Sequence, residues 1–225
     1  MGAERLSIII PALNEAAGIG RALQALAPLR ARGQEVIVAD GGSEDGTREL
    51  AAPLADRVIL APRGRARQMN AGAAAACGDG FVFLHADTCL PPEADRLILH
   101  ALKENLWGRF DVRIEAVHPL LGVVALGMNL RSRLSGIATG DQALFVRREA
   151  FAGFADIPLM EDIAFCKAMK RRSPPACLRE RVTTSGRRWQ RDGVLRTVLL
   201  MWRLRLAYFL GASPDELARH YASKS

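Results

Sequence analysis

Four apolar runs in this sequence end in residues that can do chemistry. "LSIIIPALNE" closes on Asn14 and Glu15, and "EVIVAD" closes on Asp40. "DRVILAPRGRAR" leads to Arg63, Arg65 and Arg67, and "FVFLHAD" ends in His85 and Asp87. Carboxylates such as Glu15 and Asp40 can accept from a base N–H or from ribose hydroxyls. Arginines can neutralise a pyrophosphate, because the guanidinium fork matches phosphate oxygens in pairs. An aspartate can hold a hard divalent cation that bridges phosphate oxygens. Each residue also has a plainer use. Asp40 and Asp45 in "DGGSEDG" are turn-formers by type, the arginines could be a solvated helix face, and Asp87 could cap the turn before "LPP". Four such turns in succession favour one shared site over four coincidences.

The elements that must position these groups alternate. Leu6–Ile10 reads as a buried strand broken by Pro11, with Asn14 able to cap the helix that follows. Val36–Ala39 is a second strand, with a helix from about Thr47, and "DRVIL" is a third. "GRARQMNAGAAAACG" is an alanine-rich helix, Phe81–Leu84 a fourth strand, and "PEADRLILHALKEN" another helix. This rhythm predicts βαβ units, a mostly parallel sheet and helices on both faces. Polar residues after the carboxyl ends of such strands lie on the edge where open α/β sheets bind ligands. The second half is less regular. "WGRFDVRIEAV" reads as an added strand, "HPLLGVVALGMNLRSRLSG" as a helix, "MEDIAFCKAMKRR" as a clear helix and "RERVTTSGRRW" as a strand leading to a loop. With no repeat or linker, the expected division is one domain over 1–192 and a helical tail over 193–225.

Composition narrows the partners. A chain of 225 residues can bury a substantial core as one domain. It carries 27 arginines, 4 lysines and a net charge of +7, which points to an anionic partner. Aromatic residues are too few, and too confined to strands and the tail, to interleave with a nucleic-acid surface. The four cysteines form no C-x-x-C pair, as expected of small core residues in a reducing compartment. "MGAERLSIII" has no long apolar leader before its first strand, so a cytoplasmic protein is expected.

On these residues the chain resembles a family 2 glycosyltransferase of the GT-A fold. "IIIPALNE" resembles the family's opening strand and P-x-x-N-E turn. "VIVADGGSEDGT" resembles its V-x-D-G-S-x-D-G-T segment with one extra glycine. "FLHADT" stands where the family has a metal-binding D-x-D or a single-Asp variant, with His85 in place of the first aspartate. "ATGDQALFVRREAF" resembles the acceptor-side segment, and "PLMEDIAFCKAMKRR" the E-D helix that carries the catalytic base. The motifs keep their order along nearly the whole chain. "RGRARQMNAGA", "WGRFDVR" and "GIATGDQ" resemble a small bacterial subgroup.

The resemblance implies a nucleotide-diphospho-sugar transferase fold with C-terminal helices. It implies inverting, metal-dependent transfer of a hexose-type sugar from a nucleotide diphosphate, UDP favoured and GDP open, to an acceptor hydroxyl. Donor binding would fall to Pro11, Asn14, Glu15, Asp40, Arg63, Arg67, Ala86 and Asp87, with Asp87 on Mg2+ or Mn2+. Met69 stands where the family often has an arginine, so Arg63 or Arg67 would supply that charge. Asp162 would be the base, with Glu161 orienting it or binding the acceptor; the plainer view is two first-turn acids favoured by the helix dipole. Gly140, Asp141, Gln142, Arg188 and Trp189 would face the acceptor, and Asp141 is the next candidate base. Ser185 replaces the glutamine of the processive Q-x-x-R-W motif, which argues against a polymer synthase.

The helix from Val194 to Leu210 is too short and too charged to span a bilayer. Lying in a membrane interface on the inner face, which suits a lipid-linked acceptor, and packing on the domain or on a second copy all stay open. The rivals are a nucleotidyltransferase, which would want a glycine-rich first loop with arginine that "PALNE" lacks, and a non-catalytic nucleotide-sugar or membrane-binding protein. A dinucleotide reductase would want G-x-G-x-x-G after the first strand, which is absent.

Overall fold

The computed structural model describes residues 4–115, 118 and 120–222, the side chains of Arg188 and Ala222 excepted. The first half alternates as β1 (Leu6–Ala12), α1 (Ala16–Ala25), α2 (Ala27–Ala31), β2 (Glu35–Asp40), α3 (Thr47–Ala51), β3 (Arg57–Leu60), α4 (Arg65–Ala75) and β4 (Gly80–Phe83). Then come β5 (Thr88–Cys89), α5 (Ala94–Glu104), β6 (Trp107–Glu115), α6 (Leu120–Ser135) and β7 (Leu144–Arg147). The chain closes with α7 (Glu161–Lys170), β8 (Ala176–Ser185), α8 (Arg187–Asp192), α9 (Val194–Phe209) and α10 (Pro214–Ala222).

One eight-stranded sheet runs β3-β2-β1-β4-β7-β6-β8-β5. The β3-β2-β1-β4 half is parallel, whereas β7 is antiparallel to both β4 and β6. The chain moves from β1 outward to β2 and β3, then returns to place β4 on the other side of β1. That reversal opens a crevice beyond the carboxyl ends of β1 and β4, where ligands bind in such sheets.

The central strands β1, β2 and β4 are buried and mostly apolar because both of their faces are covered. Ile8, Ile10, Val36, Val38, Val82 and Leu84 join one core cluster with Ile19 and Leu23 of α1 and Ile98 of α5. Their strand neighbours Ile9, Ile37, Phe81 and Phe83 join the other with Met69 of α4 and Phe165 of α7. Alternate residues thus sort to opposite faces, the period-2 signature of a strand. α4 lies so close to β1 that a Cβ at Gly72 would collide with the Ile9 side chain.

Two local expectations are corrected. β1 does not break at Pro11 but continues through Ala12, with Pro11 in register with Ala39. Pro11 turns its nitrogen to the β4 side, where pairing has already ended at Ile9 and Phe83, so no ladder bond is lost. Asn14 does not cap α1: it has φ 54°, the N-cap position is Glu15, and the Glu15 side chain makes no capping bond.

α6 is docked to the sheet by polar groups. Asn129 accepts from the backbone N–H of Val112 on β6 at 2.8 Å and donates to its carbonyl at 3.0 Å. Beneath it, Arg109 and Arg133 both donate to Asp111, which ties the "WGRFDVR" strand to the helix. α9 and α10 pack on the N-terminus of α7 through Leu204, Leu217, Met160 and Ile163. Among the described residues no helix is long and apolar enough to cross a membrane.

Candidate active site

The turns after β1 and β2 are laced to each other by side chains that satisfy loop N–H groups. Ser43 and Thr47 hydroxyls accept from the backbone N–H of Asn14 and Glu15 at 2.9 and 2.8 Å. Asn14 Oδ1 accepts from the N–H of Glu44, and Asp45 accepts from the N–H of Ala16. The Thr47 hydroxyl and the Ala16 N–H hold the Asp45 carboxyl below its usual range. Asp45 is therefore the turn-former its type suggested. Buried Gln68 donates to the carbonyls of Ala12 and Ala39, clamping the ends of β1 and β2 from below.

Asp40 is fully buried and does two things. Its Oδ2 accepts from the N–H groups of Gly42 and Ser43, both at 2.9 Å, which builds the glycine turn. Its Oδ1 is buried with no hydrogen-bond partner among the described residues. An unmatched buried acceptor costs about 1–3 kcal/mol, so a donor from a ligand would be well rewarded there.

Between the β1 and β4 ends on one side and α7, α9 and β8 on the other lies a cleft of about 350 Å³. Pro11, Glu15, His85, Ala86 and Asp87 line the first wall. Gly140, Asp141, Glu161, Asp162 and Trp189 line the second. Most residues singled out in the sequence therefore meet in one place.

The electrostatics of the two walls differ. Burial pushes the Glu15 carboxyl up, and the negative charge of Asp87 pushes it further, against the opposing charges of Arg187, His85 and Arg65. Arg187 comes within 3.9 Å of Glu15. Across the cleft, burial and then the charge of Glu161 raise the Asp162 carboxyl to about 6, although the Gly140 N–H donates to it at 3.0 Å. Buried Glu161 faces Arg65 at 3.6 Å. His85 Nδ1 lies 3.1 Å from Asp141 Oδ1. A Cβ at Gly140 would collide with the His85 ring, so this turn requires glycine for close approach.

All three non-glycine residues with positive φ among the described residues flank this machinery: Asn14, Ala143 and Met160, at 54°, 46° and 70°. Asn14 follows β1, Ala143 follows the Gly140–Gln142 turn, and Met160 precedes the two acids of α7. Backbone strain of this kind clusters where surrounding structure holds a site in place.

Several expected residues do not reach the cleft. Arg67 is engaged by Asp156 at 2.8 Å and Arg63 is not in the lining; Arg65, at the first position of α4, is the arginine that is. Three arginines at spacing two cannot be told apart until the phase of the helix is known. Gln142 is fully buried and donates to Ser132 and to the Phe110 carbonyl, so it braces the acceptor-side turn and does not face an acceptor. Asn14 ties loops together, and the side chain of Arg188 lies outside the described residues. Sequence reasoning missed Thr184 in the cleft, Arg205 and Tyr221 from the tail helices, and Arg187 beside Glu15. It also missed Arg131, whose guanidinium is pushed down by burial and held up by the charges of Asp162 and Asp141.

A curled, mostly parallel sheet with helices on both faces and a cleft over its switch point defines a GT-A fold, and solved structures share it. Glucosyl-3-phosphoglycerate synthase from Mycobacterium tuberculosis, crystallised with Mn2+, UDP and glucosyl-3-phosphoglycerate, matches with a TM-score of 0.61 at 20% identity, over 80% of this chain and 70% of that one. S. aureus TarS 1-349 matches at 0.63 and 18% identity, over 81% of this chain and 61% of its own. The Glycosyl transferase family 2 model matches residues 7–118, so the first half of the chain is similar to that family. A PGL/p-HBAD biosynthesis glycosyltransferase of Mycobacterium bovis is 39% identical over 104 residues, 43% of this chain and 40% of that protein. The succinoglycan biosynthesis protein ExoA of Rhizobium meliloti is 52% identical over 52 residues, 21% of this chain and 15% of its own. The matched stretches thus span well under half the length of these curated relatives.

Proposed function

We propose that this chain is an inverting glycosyltransferase that moves a hexose-type sugar from a nucleotide diphosphate to an acceptor hydroxyl. The observation that carries the reading is the pairing across one cleft of Asp87 with Asp162, a carboxyl whose proton affinity is raised to about 6. Such a group is ionised near neutral pH yet takes a proton far more readily than an ordinary aspartate. Asp162 would accept the proton of the acceptor hydroxyl as the hydroxyl oxygen attacks the anomeric carbon and the nucleotide diphosphate departs. Glu161 keeps the proton affinity of Asp162 high and is itself held by Arg65.

On the donor side, Asp40 Oδ1 would accept a base N–H. A uracil ring fits that single acceptor, and the UDP bound by the glucosyl-3-phosphoglycerate synthase supports the same choice. A GDP-sugar is the alternative. Arg65 would lie against the diphosphate.

A divalent cation fits the wall at Asp87. Glu15 and Asp87 stand close enough for one charge to raise the proton affinity of the other, a local surplus of negative charge. Oxygen donors suit Mg2+ or Mn2+. Among the described residues no group of three His, Cys, Asp or Glu side chains could hold an ion alone, so the nucleotide would complete the shell. When bound, the cation would neutralise the charge that develops on the departing diphosphate.

The test is a screen of UDP- and GDP-sugars with Mg2+ or Mn2+, read by thermal shift and by slow donor hydrolysis. A UDP-sugar that is both stabilising and hydrolysed supports the reading. Absence of binding and turnover across the whole panel would sink it.

A further inference from the structure

Thirteen large apolar side chains are exposed among the described residues, and eleven belong to α6, α9 and Leu210 at the end of α9. Scattered exposure is ordinary, whereas concentration on one pair of elements marks a contact surface. On α6 the bare residues are Leu120, Val123, Leu126, Leu130 and Leu134. On α9 they are Leu195, Leu199, Trp202, Leu206 and Phe209, with Trp202 68% and Phe209 78% exposed. Steps of three and four draw one stripe along each helix. The opposite faces of the same helices line the cleft, through Met128 of α6 and Thr197, Met201, Leu204 and Arg205 of α9.

Charge decides what covers the stripes. Neither helix contains an aspartate or a glutamate, and together they carry Arg131, Arg133, Arg196, Arg203 and Arg205. Arg196 and Arg203 are exposed on α9, the helix that bares Trp202. A second copy docking face to face would set these arginines against their own images with no acid from either helix between them. An anionic lipid surface offers both partners at once: hydrocarbon for the stripes and phosphate for the guanidinium groups.

We infer that the α6–α9 face docks on an anionic membrane surface and so holds the cleft against an acceptor carried in that membrane. The docking stands on this face alone; the membrane-borne acceptor rests in addition on the glycosyltransferase reading.

The test is flotation of the full chain with phosphatidylcholine vesicles, with or without about a third phosphatidylglycerol. The expected result is recovery with the anionic vesicles and quenching of Trp202 by brominated lipid, which Trp202→Phe removes. Trp202→Glu with Leu206→Glu on α9, and Val123→Ser with Leu126→Ser on α6, should each cut the bound fraction at least about tenfold while circular dichroism is unchanged. Arg196→Glu with Arg203→Glu should remove the preference for anionic lipid. Failure of the wild type to float, or wild-type binding by the folded α9 and α6 variants, would overturn the inference. So would a concentration-dependent dimer dissolved by the same substitutions without any vesicle binding, which would assign the face to a second copy. The assay contains no nucleotide, so its outcome is separate from the donor screen. Flotation without donor turnover would leave the docking in place and remove the transferase reading.

Discussion

Asp40, buried at the end of β2, and Asp162, in the lining of the cleft, are both acids, yet the chain holds them by different means. Around Asp40 the partners are near in sequence or lie in the adjoining turn: Gly42, Ser43 and the laced loops after β1 and β2. Around Asp162 only the Ile163 N–H and Glu161 are neighbours in the chain, and the rest come from afar: the Gly140 N–H, Arg65 of α4, and walls supplied by β8 and α9. The first arrangement holds a carboxylate still with short local bonds. The second buries a carboxylate beside another acid and so raises its proton affinity. A binding edge needs the one and a base needs the other.

The sharpest way to break this contrast is Asp162→Asn, which keeps the shape and removes the proton acceptor. Single-turnover transfer should fall at least about 10²-fold, while donor affinity changes little. Glu161→Gln should cost less, because it removes the charge that raises the Asp162 carboxyl and not the acceptor itself. If Asp162→Asn transfers normally and Glu161→Gln is dead, the two roles are reversed. The converse experiment on the other edge is Asp40→Asn. It should weaken nucleotide binding by roughly 1.5–3 kcal/mol, the range for a hydrogen bond to a charged group, and leave the rate of bound donor nearly unchanged. Equal nucleotide titrations of variant and wild type would refute a contact to the base.

The pH dependence separates the same two acids. A base must be ionised, so transfer should be lost as pH falls through about 6 and should level off above it. Asp162→Asn should abolish that limb. The linked stability runs the other way. A carboxyl raised in the fold destabilises it once ionised, so Asp162→Asn should raise the melting temperature at pH 8, and the gain should shrink toward pH 5.

Smaller effects test the geometry. Gly140→Ala drives a methyl into the His85 ring and should cost about 1–3 kcal/mol of stability by denaturant titration. Arg65→Ala should lower transfer roughly tenfold, about the loss of one hydrogen bond to a charged group. Arg67→Ala should change it by less than about twofold, because its partner is an exposed aspartate. The reverse order for these two arginines would restore the expectation drawn from the sequence.

The alternation of the first half, the buried strands and the carboxyl edge that bears Glu15, Asp40 and Asp87 were legible in the amino-acid string. Those features rest on period, on turn residues and on neighbours close in the chain, all visible in a linear string. That Glu161 and Asp162 open a helix was also legible there, whereas their meeting Asp87 in one cleft was seen only in the fold. Tertiary structure alone decided which of three arginines enters the cleft, because helix phase against a wall is a long-range fact. It decided that Gln142 is buried, since its partners Phe110 and Ser132 are distant in the chain and nothing local hides an amide. It raised the Asp162 carboxyl, because desolvation is a property of packing and not of residue type. It also left the stripes of α6 and α9 bare: an apolar face in a sequence says only that something must cover it, and the fold decides whether the chain does so itself.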